Sequence, residues 1–276
     1  MRMPFLHYRP SPPLSHFVEM FWYYEGEAGG PHKKERLLPQ GSSELVVNLR
    51  EDEIRLYDRK NLNESHKLSG AAICGPHSQF FVIDTAEQDC VAGAHFKAGG
   101  AFPFFKVPFC ELHNEHVSLD TLWGRASAIR LRDRLLEEPT PQAKLHRFEQ
   151  LLLEQLYKPM EQHRAVSYAL LRLGAEPAPI ADLSDEIGIS TRRLVDVFSQ
   201  QVGLTPKLFA RVQRFQNAIQ NLPPEQDVDW AEVALDCGYY DQAHFIHDFR
   251  SFSGLSPSTY LKLRTRHTNH VPIYED

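Results

Sequence analysis

Five polar positions, Thr191, Arg192, Arg193, Asp196 and Ser199, recur further along the chain as Gln242, Ala243, His244, His247 and Arg250. The offset is 51 residues, from Leu194 to Phe245 and again from Gly203 to Gly254 (245 − 194 and 254 − 203). An arginine can make paired hydrogen bonds to guanine O6 and N7, a glutamine to adenine N6 and N7, and a carboxylate accepts from cytosine N4. These types suit the base edges of a major groove; for any single residue the alternative is a solvated helix face. Ser190 and Asp241 stand just ahead of the two sets, where a side-chain oxygen caps a helix start. Thr205-Pro206 and Ser256-Pro257 each place a hydroxyl cap before proline at the first helical position. The free N–H groups of such a start suit a phosphate, and Lys207 and Arg211 add charge to the first of them.

Side chains of this kind need paired helices to carry them. In the stretch from Val228 to Tyr260, Trp230, Val233, Ala234 and Cys237 recur at helical spacing, and Gly238 supplies the turn that ends such a helix. Phe245, Phe249 and Phe252 then line one side of a second helix. The upstream copy repeats this, with Ile187-Gly188-Ile189-Ser190 matching Cys237-Gly238-Tyr239-Tyr240, and Leu194 and Phe198 matching Phe245 and Phe249. Two short helices joined by a tight glycine turn, the second with a polar face, form the helix-turn-helix pattern. Between the copies, Leu208, Val212, Phe215, Ile219 and Leu222 lie on one stripe of a helix from Pro206 to Asn221, long enough to connect them rigidly.

From about Pro179 to Arg264 the chain resembles the AraC/XylS family of transcription regulators, most closely in GYYDQAHFIHDF and GLSPSTY. The resemblance implies two helix-turn-helix units that bind double-stranded promoter DNA, with RNA polymerase as a further partner. On it, the DNA-binding residues are Ser190, Thr191, Arg192, Arg193, Asp196, Ser199, Lys207, Arg211, Asp241, Gln242, His244, His247 and Arg250. The family's usual basic residues are replaced here by Asp196 and His247.

Residues 1 to about 100 read as short strands: Phe17–Tyr24, Arg36–Leu38, Ser43–Leu49, Glu53–Tyr57, Phe80–Ile83 and Cys90–Phe96, separated by clusters such as Gly29-Gly30-Pro31 and Pro39-Gln40-Gly41. The pattern predicts a barrel or sandwich. LLPQGSSELVVNL and GAHFKAGGAFPFF resemble the cupin-like β-barrel with which AraC-like proteins sense a small-molecule effector. The polar residues Gln40, Glu44, His77 and His95 are the candidates to line its interior. Phe102, Phe104, Phe105 and Phe109 read as an apolar plug over the barrel end, with a ligand-facing lid as the alternative. A helical hairpin follows, with Leu119, Leu122, Trp123, Ala126 and Ile129, then Leu145, Phe148, Leu151, Leu152 and Leu156, broken by Pro139 and Pro141.

The expected fold is α+β in two domains. Residues 1–113 form a cupin-like barrel, 114–158 a hairpin that dimerises or docks, 159–266 the DNA-binding domain entered through Lys158-Pro159, and 267–276 a C-terminal tail. The 276 residues suffice for two domains, and no apolar run is long enough to cross a membrane. The N-terminus lacks the apolar core of a signal peptide, and Cys74, Cys90, Cys110 and Cys237 show no paired ligand spacing, which suits a reducing bacterial cytoplasm.

Charge pulls the other way. The chain carries −6, and Pro179 to Arg266 holds nine bases against eleven acids, a net −2 that is low for a surface neutralising phosphates. That favours, as one alternative, a helix-turn-helix module kept for protein contacts. A second alternative is a metal-dependent cupin-type enzyme, with His32, His77, His95 and Glu44 as its available ligands. A third, a DNA-repair alkyl transferase, needs a zinc-bound cysteine cluster that the spacing does not supply. The expectation is a regulator with no catalytic residue, no cofactor and no bound metal.

Asp196 is the residue whose chemistry decides most. It lies off the stripe of Leu194 and Phe198, and a carboxylate beside phosphates disfavours every DNA sequence. Asp196→Ala is therefore expected to tighten binding to random duplex while relaxing preference at one base pair by about 1–3 kcal/mol. Titrations of random and selected duplexes at two salt concentrations check this; equal weakening on both would place Asp196 in a structural role.

Overall fold

The structure is a computed structural model of the chain. It describes residues 5–26, 34–105, 107–156, 162–175, 178–223 and 228–274. His32, Gly29-Gly30-Pro31, Lys158-Pro159, Glu225 and Asp227 lie outside the described residues.

The N-terminal half is antiparallel β structure. Strands β1 (Phe5–Tyr8), β2 (Val18–Glu25), β4 (Glu44–Asn48), β7 (Ala71–Cys74), β9 (Cys90–Phe96) and β10 (His116–Ser118) form one sheet, in the order β1-β2-β9-β4-β7-β10. Strands β3 (Lys34–Leu37), β5 (Glu53–Tyr57), β6 (Ser65–Ser69), β8 (Phe81–Asp84) and β11 (His270–Ile273) form the other, in the order β11-β3-β8-β5-β6. The α+β class holds, and the expected barrel or sandwich takes the form of two antiparallel sheets with a cavity between them. The C-terminal residues are not a loose tail: β11 pairs with β3, Val271 opposite Arg36. A sequence window sees Val271-Pro272-Ile273 as too short to be a strand, because its partner lies far back in the chain.

Alternation along the first sheet explains its two faces. Phe21, Tyr23, Leu45, Val47 and Ile73 point outward into a core shared with the hairpin, while Trp22, Tyr24, Glu44, Val46 and Cys74 point into the cavity. The hairpin consists of α1 (Leu119–Trp123), α2 (Arg125–Glu137) and α3 (Pro141–Glu154), with a break at Gly124 where φ is +80°. Its seam of Leu131, Leu135, Leu145 and Phe148 is buried on that sheet, with the Phe148 and Phe21 rings 5.5 Å apart. Phe104, Phe105 and Phe109 join the same core, Phe105 stacking on Trp123.

The C-terminal half contains α4 (Arg164–Ala175), α5 (Ile180–Ile187), α6 (Thr191–Val202), α7 (Pro206–Asn221), α8 (Trp230–Asp236), α9 (Gln242–Ser253) and α10 (Pro257–Leu263). The starts of α6, α7, α9 and α10 are capped as the sequence predicts: Ser190, Thr205, Asp241 and Ser256 accept from the backbone N–H three residues on. The matching ends fall at Gly188, Gly203, Gly238 and Gly254, all with φ between +71° and +85°. Both repeats bury their faces on α7, with Phe209 against Phe198 and Phe215 against Phe249 and Phe252. Among the described residues no helix is long and apolar enough to cross a membrane.

The two halves are joined closely. Leu38, between β3 and β4, is buried in the helical core. The Gln213 and Gln216 side chains donate to the carbonyls of Gln40 and Pro39. The loop from β7 to β8 reaches both repeats: Pro76 packs on Gly203, Phe80 on Gly254, and the Phe80 N–H donates to Phe252 O at 2.9 Å. A Cβ at Gly203 would lie 2.3 Å from Pro76 Cγ and 2.7 Å from Phe109 O, whereas one at Gly188 would meet nothing within 4 Å. Gly188→Ala is therefore expected to cost about 1–2 kcal/mol for the left-handed backbone alone. Gly203→Ala should lower Tm by at least about 2 °C more, the equivalent of roughly one further kcal/mol. Equal melting temperatures by calorimetry would contradict this docking.

Candidate functional site

Helices α6 and α9 carry the two repeated polar sets. On α6, Thr191, Arg192, Arg193 and Asp196 are exposed and Ser199 is half-buried. On α9, Gln242, His247 and Arg250 are exposed, and His244 is half-buried with its ring edge-on to Tyr239 at 5.3 Å. Ser190 and Asp241 are exposed but their side chains are engaged as caps; the Thr191 hydroxyl meets that of Ser184 at 2.8 Å. Lys207 is exposed in the first turn of α7.

Arg211 has a different setting from the one its position in the sequence suggested. Its guanidinium lies 2.6 Å from Asp248, which is 1% exposed, and over the Phe252 ring, so it ties α7 to α9. That ion pair, and Arg214 donating to Gly238 O while lying over Tyr239, were missed in the sequence. Asp248 sits between His247 and Phe249, and only the packing makes it a buried counter-ion. Tyr240, 87% exposed just before the cap of α9, was likewise missed. Most of the acids that lower the charge lie elsewhere: Asp182, Asp185 and Glu186 on α5, Glu232 and Asp236 on α8. Glu186 accepts from Tyr168 and Arg172.

A cavity of about 550 Å³ lies between the sheets. The strand register lays Met20, His95, Glu44, Cys74 and His116 in one row across β2, β9, β4, β7 and β10. All five line the cavity, as does Gln40, while Leu37, Ile54, Leu56 and Ile83 come from the facing sheet. Glu44 accepts from Trp22 Nε1 at 2.6 Å and lies 3.4 Å from His95 Nδ1; Ser42 Oγ is 3.1 Å from His95 Nε2. Burial opposes both charges, but the His95 and Trp22 contacts outweigh it at Glu44, which is held below the usual carboxylate range. Burial likewise opposes the His95 cation, and Glu44 outweighs it, raising His95 above its ordinary value. The end of the chain closes the cavity: Thr265 to His270 line it, and His270 Nδ1 lies 2.8 Å from Glu35.

His77 is separate from Glu44 and His95. It lines a neighbouring cavity of about 390 Å³, together with His116, Tyr57, Arg59 and Phe81. Of the set His32, His77, His95 and Glu44, the described members therefore do not assemble, since His77 stands apart from Glu44 and His95. Cys74, His77 and His116 do come together, their ligand atoms all within 4.8 Å of one another. Burial pushes His77 down to about 3, lowers His116 and raises the Cys74 thiol. The signal was a Cys-x-x-His spacing, which a search for paired cysteines passes over.

Residues 6–118 match the family model described as a domain of unknown function (DUF6597), and residues 183–263 match that of a helix-turn-helix domain. The chain is similar to an uncharacterized HTH-type transcriptional regulator of Haemophilus influenzae, 31% identical over 120 residues. That match covers 42% of this chain and 40% of the relative, so the chain spans well under half the length of the curated protein it matches. Among solved structures it is similar to ToxT from Vibrio cholerae, 11% identical over 94% of this chain and 98% of that one, with a TM-score of 0.45. A probable AraC family transcriptional regulator from Rhodopseudomonas palustris is 30% identical over 36% of this chain and 96% of its own, with a TM-score of 0.32.

The Arg211–Asp248 pair makes a prediction of its own. Removing one partner of a buried pair leaves an uncompensated charge, costing about 3–5 kcal/mol when both are buried and less here because Arg211 is part-exposed. Arg211→Ala should destabilise the chain, and Arg211→Ala with Asp248→Ala should be less destabilising than the sum of the single changes. A double-mutant cycle by urea denaturation measures this; strict additivity would mean the two groups are not coupled.

Proposed function

We propose, from the premise that residues 183–263 are an AraC-type helix-turn-helix domain, that this chain is a transcription regulator reading promoter DNA with α6 and α9. The observation that carries the reading is the duplicated unit itself. Both repeats have the same caps, the same glycine ends and an exposed polar face, and both are packed on the single helix α7. Such helices enter adjacent major grooves when about 34 Å, one helical turn, separates them. Of the thirteen residues named from the sequence, all but Arg211 supply contacts in this proposal. Arg192, Arg193, Gln242 and Arg250 face base edges, Lys207 faces phosphate, and Arg211 acts through Asp248.

The cavity between the sheets is proposed to hold a small, mostly apolar effector with a hydrogen-bonding group directed at Glu44, His95 and Gln40. Its lining supports this, being apolar on the facing sheet with one polar row opposite. Such a regulator works in the cytoplasm, engages RNA polymerase and needs no catalytic step of its own. Homodimerisation through the hairpin belongs to the same proposal, supported by Ile129 and Leu136 remaining exposed on α2. The acid excess supports a second reading, a module kept for protein contacts; it differs in predicting no salt-dependent DNA binding.

Selection of bound sequences from random DNA is expected to return asymmetric sites with two short boxes about ten base pairs apart. Gln242→Ala should relax one position in a single box. Sites with one box, or no enrichment at any salt concentration, would overturn the reading. In a thermal-shift screen, an effector at a hundred times its Kd should stabilise the chain by about 2.7 kcal/mol.

A further inference from the structure

The Cys74, His77 and His116 cluster is built by the fold rather than by chance proximity. Cys74 ends β7, and His116 opens β10 directly opposite it in the register, so both side chains project from one face of the sheet. His77 is brought back by the loop that follows Cys74, which is held at Ser78 by Asn114 Oδ1 at 2.8 Å and by the His113 ring at 2.9 Å. The three rings of His77, Phe81 and His116 pack at centroid distances of 4.4 to 4.7 Å.

Two imidazole nitrogens of this cluster are buried with nothing to bond. His77 Nε2 and His116 Nε2 have no hydrogen-bond partner, and the Cys74 thiol has only the carbonyl of Gly75 at 3.6 Å. Buried polar atoms left so are destabilising, and native folds rarely leave a pair of them side by side. A shared cation satisfies all three. One sulfur and two imidazole nitrogens form a borderline-soft donor set that suits Zn²⁺ and its neighbours, not Ca²⁺ or Mg²⁺. Tetrahedral Zn²⁺, with Zn–S near 2.3 Å and Zn–N near 2.0–2.1 Å, sets ligand atoms about 3.5 Å apart, within side-chain rotation of the separations here. Cys74 and His116 also border the large cavity and His77 the small one, so the fourth position opens toward space a small ligand can enter.

The loop after Cys74 is the one that touches both repeats, through Pro76 at Gly203 and Phe80 at Gly254. We propose that Cys74, His77 and His116 bind one Zn²⁺-class transition-metal ion with an open fourth position, and that its occupancy braces the ends of α6 and α9. On binding, the Cys74 thiol gives its proton to solvent and coordinates as thiolate. The metal site stands on the side chains alone; its effect on DNA rests on the regulatory reading above.

The test uses the full chain, stripped with a chelator and titrated with Co²⁺. The expected result is one equivalent bound, with a near-ultraviolet thiolate band and the visible bands of a tetrahedral site, both abolished by Zn²⁺. Cys74→Ser should remove the thiolate band, and His116→Gln and His77→Gln should each weaken Co²⁺ binding by at least about 10–100-fold. Melting of each stripped variant alongside the stripped parent separates loss of ligand from loss of fold. No stoichiometric band, or an unchanged band in Cys74→Ser, would overturn the site. The second arm compares a selected duplex with loaded and stripped protein, expecting about tenfold tighter binding when loaded, because a fixed brace pre-organises the two helices. Equal affinity would overturn the brace while leaving the site. DNA binding in neither state would overturn the regulatory reading and the brace with it, and the Co²⁺ titration would still decide the site.

Discussion

Everything in the C-terminal half depends on burying two apolar faces on one helix. Helix α7 has 16 residues, and its rings at Phe209 and Phe215 face opposite repeats: Phe198 lies 5.7 Å from the first, Phe249 5.2 Å from the second. An α-helix of that length spans about 24 Å and bends sharply only where its hydrogen-bond ladder is interrupted, and past the first turn α7 carries no proline. The repeats therefore cannot move independently along it while both clusters stay packed. Aromatic pairs at these distances contribute about 0.5–1.5 kcal/mol each beyond the area they bury, and the Arg211–Asp248 pair adds a polar tie across the same contact. Spacing and orientation of the two polar faces follow from this packing, not from the residues on those faces.

The N-terminal half is fastened to that unit at points spread widely along the sequence. Leu38 enters the helical core, β11 crosses back to pair with β3, and the β7–β8 loop lies against both glycine ends. Residues 265–270, which follow the last helix, line the inter-sheet cavity directly. A molecule in that cavity thus touches the segment leaving the second repeat, and a change there needs no long relay to reach α10. The short path is a physical reason for the two halves to act together.

Helices were legible in the sequence because their signals are local. Caps at Ser190, Thr205, Asp241 and Ser256, glycine ends, and the stripe of Phe245, Phe249 and Phe252 all fall within a few residues of the elements they define. Most long strands were legible for the same reason, as was the polar lining at Gln40, Glu44 and His95. What was not legible is non-local. The separation into two sheets depends on pairings, and β11 exists only because β3 offers an edge. Asp248 reads as a solvated acid until Arg211 is folded over it. His116 and Cys74, far apart in sequence, become neighbours through one cross-strand register.

In the regulatory reading proposed above, the two repeats are held at a fixed separation and read one face of the same duplex. A spacer series measures this directly, with affinity determined for sites whose two boxes are separated by the selected distance or by five additional base pairs. Five base pairs turn the second box by about half a helical turn, out of reach of a unit fixed to α7. Affinity should then fall to that of a site with only one intact box. Affinity unchanged by the insertion would mean that the repeats move independently or that only one reads DNA, and would contradict that reading.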